Sequence, residues 1–141
     1  MIDPASTPRG GWIAVGLVVA GAAVAGCFSE HTSPVEPGEE LTCADVPPEG
    51  RTGADPVVVI RDFAFHPEEL TVSPGTTVSW INCEDPGGAA HTTTSDTGLW
   101  DSGLLGAGGA EVFRRTFQEE GAFDYHCTPH PFMQARVGVE S

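Results

Sequence analysis

The chain has 141 residues, 20 acidic against 6 basic, and all six basic residues are Arg, so the formal net charge is −14. This balance provides no basic face for a polyphosphate and none for anionic lipid headgroups, which argues against nucleic-acid binding and electrostatic docking on a membrane. The length suits one domain, the 40% hydrophobic content is enough for a packed core, and 18 Gly with 12 Pro predict turns and short strands over long helices.

Residues 10–29 contain no charge, and Arg9 stands before them. A basic flank, a short apolar stretch (Trp12-Ile13-Ala14-Val15-Gly16-Leu17-Val18-Val19-Ala20) and then small residues read as an export signal. The run ends Val24-Ala25-Gly26-Cys27, which resembles the bacterial lipoprotein cleavage box, where the Cys becomes the lipid-modified first residue of the mature protein. A single acyl chain binds a bilayer only marginally, so stable anchoring implies more than one chain on Cys27. The alternatives are an uncleaved anchor, since about 20 uncharged residues can just span a bilayer, and plain secretion. All three put the remainder of the chain outside the cytoplasm, in a periplasm or on the outer face of the cytoplasmic membrane. The predicted organisation is therefore an export signal of lipoprotein type over residues 1–26, an acidic Pro-rich tether over 27–56 and a compact domain over 57–141. The tether carries Pro34, Pro37, Pro47 and Pro48 with Glu36, Glu39 and Glu40, a composition of low hydrophobicity and like charge that favours a solvated spacer.

The pattern changes at Val57-Val58-Val59-Ile60, which reads as a buried strand. Leu70-Thr71-Val72 leads into the turn signal Ser73-Pro74-Gly75, and Thr76-Thr77-Val78-Ser79-Trp80-Ile81-Asn82 then alternates polar with apolar. Val112-Phe113-Arg114-Arg115-Thr116-Phe117 is a further strand. Gly121-Ala122-Phe123-Asp124-Tyr125-His126 alternates so that Phe123 and Tyr125 share a face, and Arg136-Val137-Gly138-Val139 closes the chain. No stretch carries a sustained helical period. Short strands separated by turn residues predict an all-β antiparallel sandwich or barrel, small enough to benefit from a covalent staple.

The chemistry concentrates near the C-terminus, in Tyr125-His126-Cys127-Thr128-Pro129-His130-Pro131-Phe132-Met133. Two residues separate Cys127 from His130, and two separate His130 from Met133. His91 lies upstream in Gly87-Gly88-Ala89-Ala90-His91-Thr92. A thiolate, two imidazoles and a weak thioether form the donor set of a mononuclear blue-copper site. Thiolate is soft and favours Cu(I), imidazole serves both oxidation states, and a long thioether contact tunes the potential without imposing one state's geometry. Zinc also takes Cys and His, but it gains little from Met133. The segment lacks the second Cys of a c-type haem motif and of a binuclear copper loop. Among the other histidines, His31 lies in the tether, His66 precedes Pro67 at a turn, and His126 is pointed away from the ligand face by strand alternation. Trp80 and Phe123 are core candidates, and Glu119-Glu120 is a turn surface.

Of the four Cys, Cys27 is the lipid candidate and Cys127 belongs to the metal constellation, which leaves Cys43 and Cys83 as the natural pair in an exported chain. Closing that loop stabilises a fold by about 4 kcal/mol on the chain-entropy argument. Two unpaired thiols are the alternative.

Residues 57–140 resemble the cupredoxins, within them the plastocyanin, pseudoazurin and amicyanin group. The resemblance is carried by Phe123-Asp124-Tyr125-His126-Cys127-Thr128-Pro129-His130-Pro131-Phe132-Met133, whose short ligand loop is most similar to that of the amicyanins. It is supported by Glu69-Leu70-Thr71-Val72-Ser73-Pro74-Gly75-Thr76-Thr77-Val78-Ser79-Trp80, by Asp101-Ser102-Gly103 and by Gly121-Ala122-Phe123. It implies a Greek-key β-sandwich of about eight strands with one type 1 copper ion near one end, ligated by His91, Cys127, His130 and Met133. It also implies that His130 reaches the surface as the electron port, with Pro129, Pro131 and Phe132 around it. Related proteins often carry Asn after the first His, where it ties the two ligand loops together; here that residue is Thr92. The implied function is a monomeric one-electron carrier, not an enzyme. It would cycle Cu(I)/Cu(II) between redox partners such as a c-type cytochrome, a dehydrogenase or an oxidase, steered by its acidic surface toward a basic partner. A copper storage or delivery module is the alternative, separable by reduction potential and self-exchange rate. A sandwich without metal, serving as a scaffold, is disfavoured by the intact ligand set.

Overall fold

The computed structural model describes residues 40–141; the expected export signal, Cys27 and the first part of the expected tether lie outside the described residues. Eight strands follow one another: β1 (Val57–Arg61), β2 (Ala64–His66), β3 (Glu69–Val72), β4 (Thr76–Asn82), β5 (Thr94–Ser95), β6 (Val112–Phe117), β7 (Gly121–Cys127) and β8 (His130–Val139). They form two four-stranded sheets, ordered β2-β1-β4-β6 and β3-β8-β7-β5. No helix among the described residues is long and apolar enough to cross a membrane.

The sandwich is all-β, as the alternating runs predict, but its sheets are mixed. β1 pairs parallel to β4, and β3 pairs parallel to β8, while the remaining neighbours are antiparallel. Parallel neighbours need a crossover connection, and here β2 and β3 together carry the chain from one sheet to the other between β1 and β4.

The main core is a cluster that includes Val58, Ile60, Phe65, Val78, Trp80, Trp100, Phe117, Tyr125, Met133 and Val137. Trp80 is fully buried, and its indole Nε1 donates to the Tyr125 hydroxyl at 3.1 Å. Burial pushes the Tyr125 phenol well above its ordinary pKa, so it stays neutral and accepts that bond. Along β7 and β8 the inward positions alternate as a two-residue period requires: Tyr125 and Cys127 on one strand, Met133, Ala135, Val137 and Val139 on the other.

β1 does not alternate, and the reason lies outside the sandwich. Val58 and Ile60 face the main core, whereas Val57 and Val59 pack with Ile81, Leu41 and Val46 in a second cluster. A strand covered on both faces reads as a continuous apolar run. Its outer cover comes from residues 40–56, where the composition predicts a solvated spacer. That stretch is instead fastened to the sheet. Leu41 and Val46 are buried, Arg51 and Val57 exchange both backbone hydrogen bonds at 2.8 Å, and Cys43 is disulfide-bonded to Cys83. The Cα atoms of that pair are 5.6 Å apart, an ordinary separation for the bond. Gly50 is required in the same stretch, because a Cβ there would meet the His66 carbonyl oxygen at 2.1 Å. The folded unit thus begins before Val57. Its anchoring rests on two apolar side chains and one covalent bond, too few to lift the local composition above that of a spacer.

Because the disulfide closes a loop of sequence separation 40, replacing both Cys43 and Cys83 by Ser is expected to lower the unfolding free energy by about 4 kcal/mol. Urea denaturation of the metal-free protein, followed by Trp fluorescence, measures it; an unchanged midpoint would show that the staple is redundant with Leu41 and Val46.

Candidate metal centre

Three of the four expected ligand residues converge at one end of the sandwich. Cys127 ends β7 and His130 begins β8, joined by the two-residue turn Thr128-Pro129. His91 comes from the connection between β4 and β5, where its backbone pairs with Leu105 on both sides, N to O at 3.2 Å and O to N at 2.8 Å. His91 and Cys127 are fully buried, and His130 is partly exposed. Cys127 Sγ lies 3.5 Å from His91 Nδ1 and 3.5 Å from His130 Nδ1, and the two Nδ1 atoms are 3.1 Å apart.

A point equidistant from these three atoms is about 2 Å from each, the length of a bond from a first-row transition metal to imidazole nitrogen. Two imidazole nitrogens and a sulfur converging at these distances can share a proton or hold one cation, and a soft thiolate with two imidazoles is a donor set that fits a metal ion. It is the one group of three or more such side chains found among the described residues.

Met133 sits where β8 departs from regular pairing. Up to His126↔Gln134 the two strands run in one register, and Cys127↔His130 then resumes in another. The slip leaves Pro131, Phe132 and Met133 without partners on β7. Met133 is buried within the main core that also contains Cys127, and Phe132 is 71% exposed. The bulge therefore divides this short stretch between interior and surface.

The bonds around the donor triangle hold it in place. The Thr92 amide donates to Cys127 Sγ at 3.3 Å, and the Thr92 hydroxyl accepts the Thr128 amide at 2.8 Å. The tie between ligand loops that Asn makes in related proteins is thus made here by Thr92. His126 points away from the site, as strand alternation predicts, and pairs with Asp96 at 2.5 Å. Asn82, fully buried, donates to the carbonyls of Ala89 at 3.0 Å and Leu105 at 2.8 Å and accepts the Glu84 amide at 3.1 Å. Both segments flanking His91 are thereby fixed to the end of β4.

Two residues at the site had no place in the sequence analysis. Glu84 Oε1 is 3.2 Å from His91 Nε2. Burial lowers the His91 pKa, opposed by that bond; burial works against the Glu84 carboxylate, but N–H donors from Phe63, His91 and Asp62 outweigh it and hold its pKa low. Phe63 lies edge-on to both imidazoles, with ring centroids 5.3 Å from His91 and 5.0 Å from His130. A carboxylate seven residues before a ligand His is a signal that could have been weighed; the placement of Phe63 left none.

Residues 56–140 match the family described as copper binding proteins, plastocyanin/azurin family. The chain belongs to this family of cupredoxins, and its cofactor is a single copper ion. Among particular proteins it is similar to amicyanin from Paracoccus versutus, 32% identical over 148 aligned positions that cover 96% of this chain and 98% of the relative. It is 40% identical over 86 residues to amicyanin from Paracoccus denitrificans, covering 60% of this chain and 64%, just under two thirds, of that protein. Among solved structures, the reduced Cu(I) form at pH 4 of a proline-to-glycine mutant of amicyanin aligns over 71% of this chain and 90% of its own, with a TM-score of 0.56 and 34% identity.

Replacing Thr92 by Val removes the acceptor for the part-buried Thr128 amide and is expected to cost about 1–3 kcal/mol. Denaturation of the metal-free protein measures this, and Thr92→Ser, which retains the hydroxyl, is expected to keep most of the stability. A loss in Thr92→Ser with none in Thr92→Val would mean that the methyl group, not the tie, matters.

Proposed function

We propose that this chain is a one-electron carrier in which His91, Cys127, His130 and Met133 hold one type 1 copper ion, outside the cytoplasm. The observation that carries the reading is the donor triangle itself: buried on the His91 and Cys127 side, open at His130, and built from two segments, the His91 loop and the β7–β8 hairpin, each fixed by backbone hydrogen bonds. When bound, copper supplies the Cu(I)/Cu(II) couple. The protein's part is to prevent rearrangement. Cys127 is held by the β7–β8 hairpin and the Thr92 amide, and His91 by the Leu105 backbone. Ligands that cannot move keep the reorganisation that accompanies a change of charge small. Met133 would supply a weak fourth donor, on the strength of its thioether and its spacing from His130.

The open side is where a partner would approach. His130 is flanked by Phe132 and by the half-exposed Phe63, whose rings lie 6.1 Å and 5.0 Å from its own. The chain as a whole is strongly acidic, at net −14, which favours a basic partner, such as a c-type cytochrome, a dehydrogenase or an oxidase, that also offers an apolar contact. An extracytoplasmic site is supported by the Cys43–Cys83 disulfide, a bond that persists in oxidising compartments; attachment through lipid on Cys27 rests on the sequence alone. Storage or delivery is the second reading. It calls for ligands that a recipient can displace, and the burial of His91, Cys127 and Met133 weighs against it.

Loading the purified domain with Cu(II) is expected to give an intense visible charge-transfer band that is absent in Cys127→Ser, while circular dichroism of the metal-free variant keeps the β signature. A coloured Cys127→Ser protein would sink the assignment, and slow self-exchange would favour delivery. With a basic redox partner, the bimolecular electron-transfer rate is expected to fall steadily as salt rises; a flat profile would leave the apolar patch alone to direct docking.

A further inference from the structure

Among the described residues, one ionisable side chain beyond the four proposed ligands touches the centre. Glu84 Oε1 accepts the Phe63 amide at 2.9 Å and faces His91 Nε2 at 3.2 Å, so both bonds end on the same oxygen. The Glu84 side chain is 12% exposed and His91 not at all, so little water competes for that oxygen.

Each bond restrains something that would otherwise drift. Asp62 and Phe63 form the two-residue turn between β1 and β2 and have φ of 51° and 56°. Such a turn needs left-handed backbone at both positions and is ordinarily made by Asn-Gly or Asp-Gly. A bulky Phe there is a true outlier, of a kind that costs on the order of 1–3 kcal/mol and concentrates at functional sites. What the strain achieves is visible in the geometry, because the Phe63 ring stands at 88° to both imidazoles at once. The second restraint concerns His91. A neutral imidazole carries its proton on one nitrogen or the other, and a carboxylate at Nε2 keeps it there, leaving the Nδ1 lone pair for the donor triangle.

We propose that Glu84 is a positioning residue that acts twice through one oxygen, fixing His91 in its Nε2-protonated tautomer and holding the strained turn so that the Phe63 ring edge covers the two imidazoles. The proposal rests on the copper reading and extends it. A nearly buried negative charge behind a ligand imidazole makes that imidazole a stronger donor, and the oxidised ion, with one more positive charge than the reduced ion, benefits more. Glu84 therefore biases the centre toward Cu(II). A backbone carbonyl in its place would fix the tautomer without that bias.

Glu84→Gln keeps the size and the acceptor oxygen and deletes the charge. It is expected to bind copper with its visible band retained, while its preference for Cu(I) over Cu(II) rises about tenfold, equal to about 59 mV for one electron. A blue Glu84→Gln protein with the wild-type potential would overturn the electrostatic part. In the metal-free wild-type protein, nitrogen-15 NMR is expected to find the His91 proton on Nε2 and Phe63 ring contacts to both imidazoles, with both lost in Glu84→Ala. A proton on Nδ1 in the wild type, or contacts unchanged in Glu84→Ala, would overturn the positioning part whether or not the Gln variant folds. Failure of the wild type to take up copper would instead count against the copper reading, and the NMR result on the metal-free chain would still decide the tautomer.

Discussion

Three electron-pair donors, each about 3.5 Å or less from the other two, are an arrangement a folded chain does not adopt for its own stability. Burying His91 and Cys127 beside each other sacrifices hydration, which only a shared proton or a bound cation repays. The remaining structure serves to make that arrangement tolerable. The sandwich is a rigid frame whose regular pairing ends at the centre: β7 stops at Cys127, β4 at Asn82, and the pairing of β7 with β8 slips by three residues. The Trp80–Tyr125 pair, with ring centroids 5.7 Å apart, packs in the same core as Cys127 and Met133.

Preorganisation of His91 depends on a short stretch at the end of β4. Asn82 binds both flanks of the His91 loop, Cys83 carries the disulfide, and Glu84 reaches His91 and Phe63. Three consecutive residues thus connect the N-terminal stretch, the strained hairpin turn and the first imidazole. The Gly109 amide, bonded to the Asn82 carbonyl at 2.7 Å, brings another backbone segment against Cys43, where a Cβ would come within 2.5 Å of the sulfur. Close packing of this kind leaves the ligand loop few alternative conformations, and a metal then enters a site whose entropy cost has been met by folding.

The fold class and the meeting of His91, Cys127 and His130 were legible in the sequence because the one is periodic and the other chemically narrow. β4 matches the alternating run over residues 76–82, β6 matches 112–117, and Cys127, His130 and Met133 stand at fixed spacing. What was not legible depends on partners distant in sequence. β2 and β5, of three and two residues, are too short to carry a period and exist only because β1 and β7 pair with them. Trp100 gave no strand or turn signal, yet it is buried, with its indole donating to Thr93 at 2.9 Å and the Arg115 guanidinium 4.8 Å from its ring centroid. The folded part of residues 40–56 was hidden by its acidic, Pro-rich composition. Phe63 was hidden for a different reason, since Asp-Phe is not a dipeptide that favours a tight left-handed turn; its conformation is imposed by the hairpin and by Glu84.

The exposed aromatic edge has a further consequence for the balance between specificity and speed. A net charge of −14 would favour the approach of a basic partner over a range set by the Debye length, about 8–10 Å at ordinary salt. That field brings a partner to the molecule but does not choose its orientation. On the proposed reading, orientation would come from short-range contacts at His130, where Phe63 and Phe132 supply apolar area without long, flexible side chains that would lose entropy on docking. A small, rigid apolar contact inside a wide electrostatic field favours fast arrival and fast release, and those are the properties that a carrier shuttling single electrons requires.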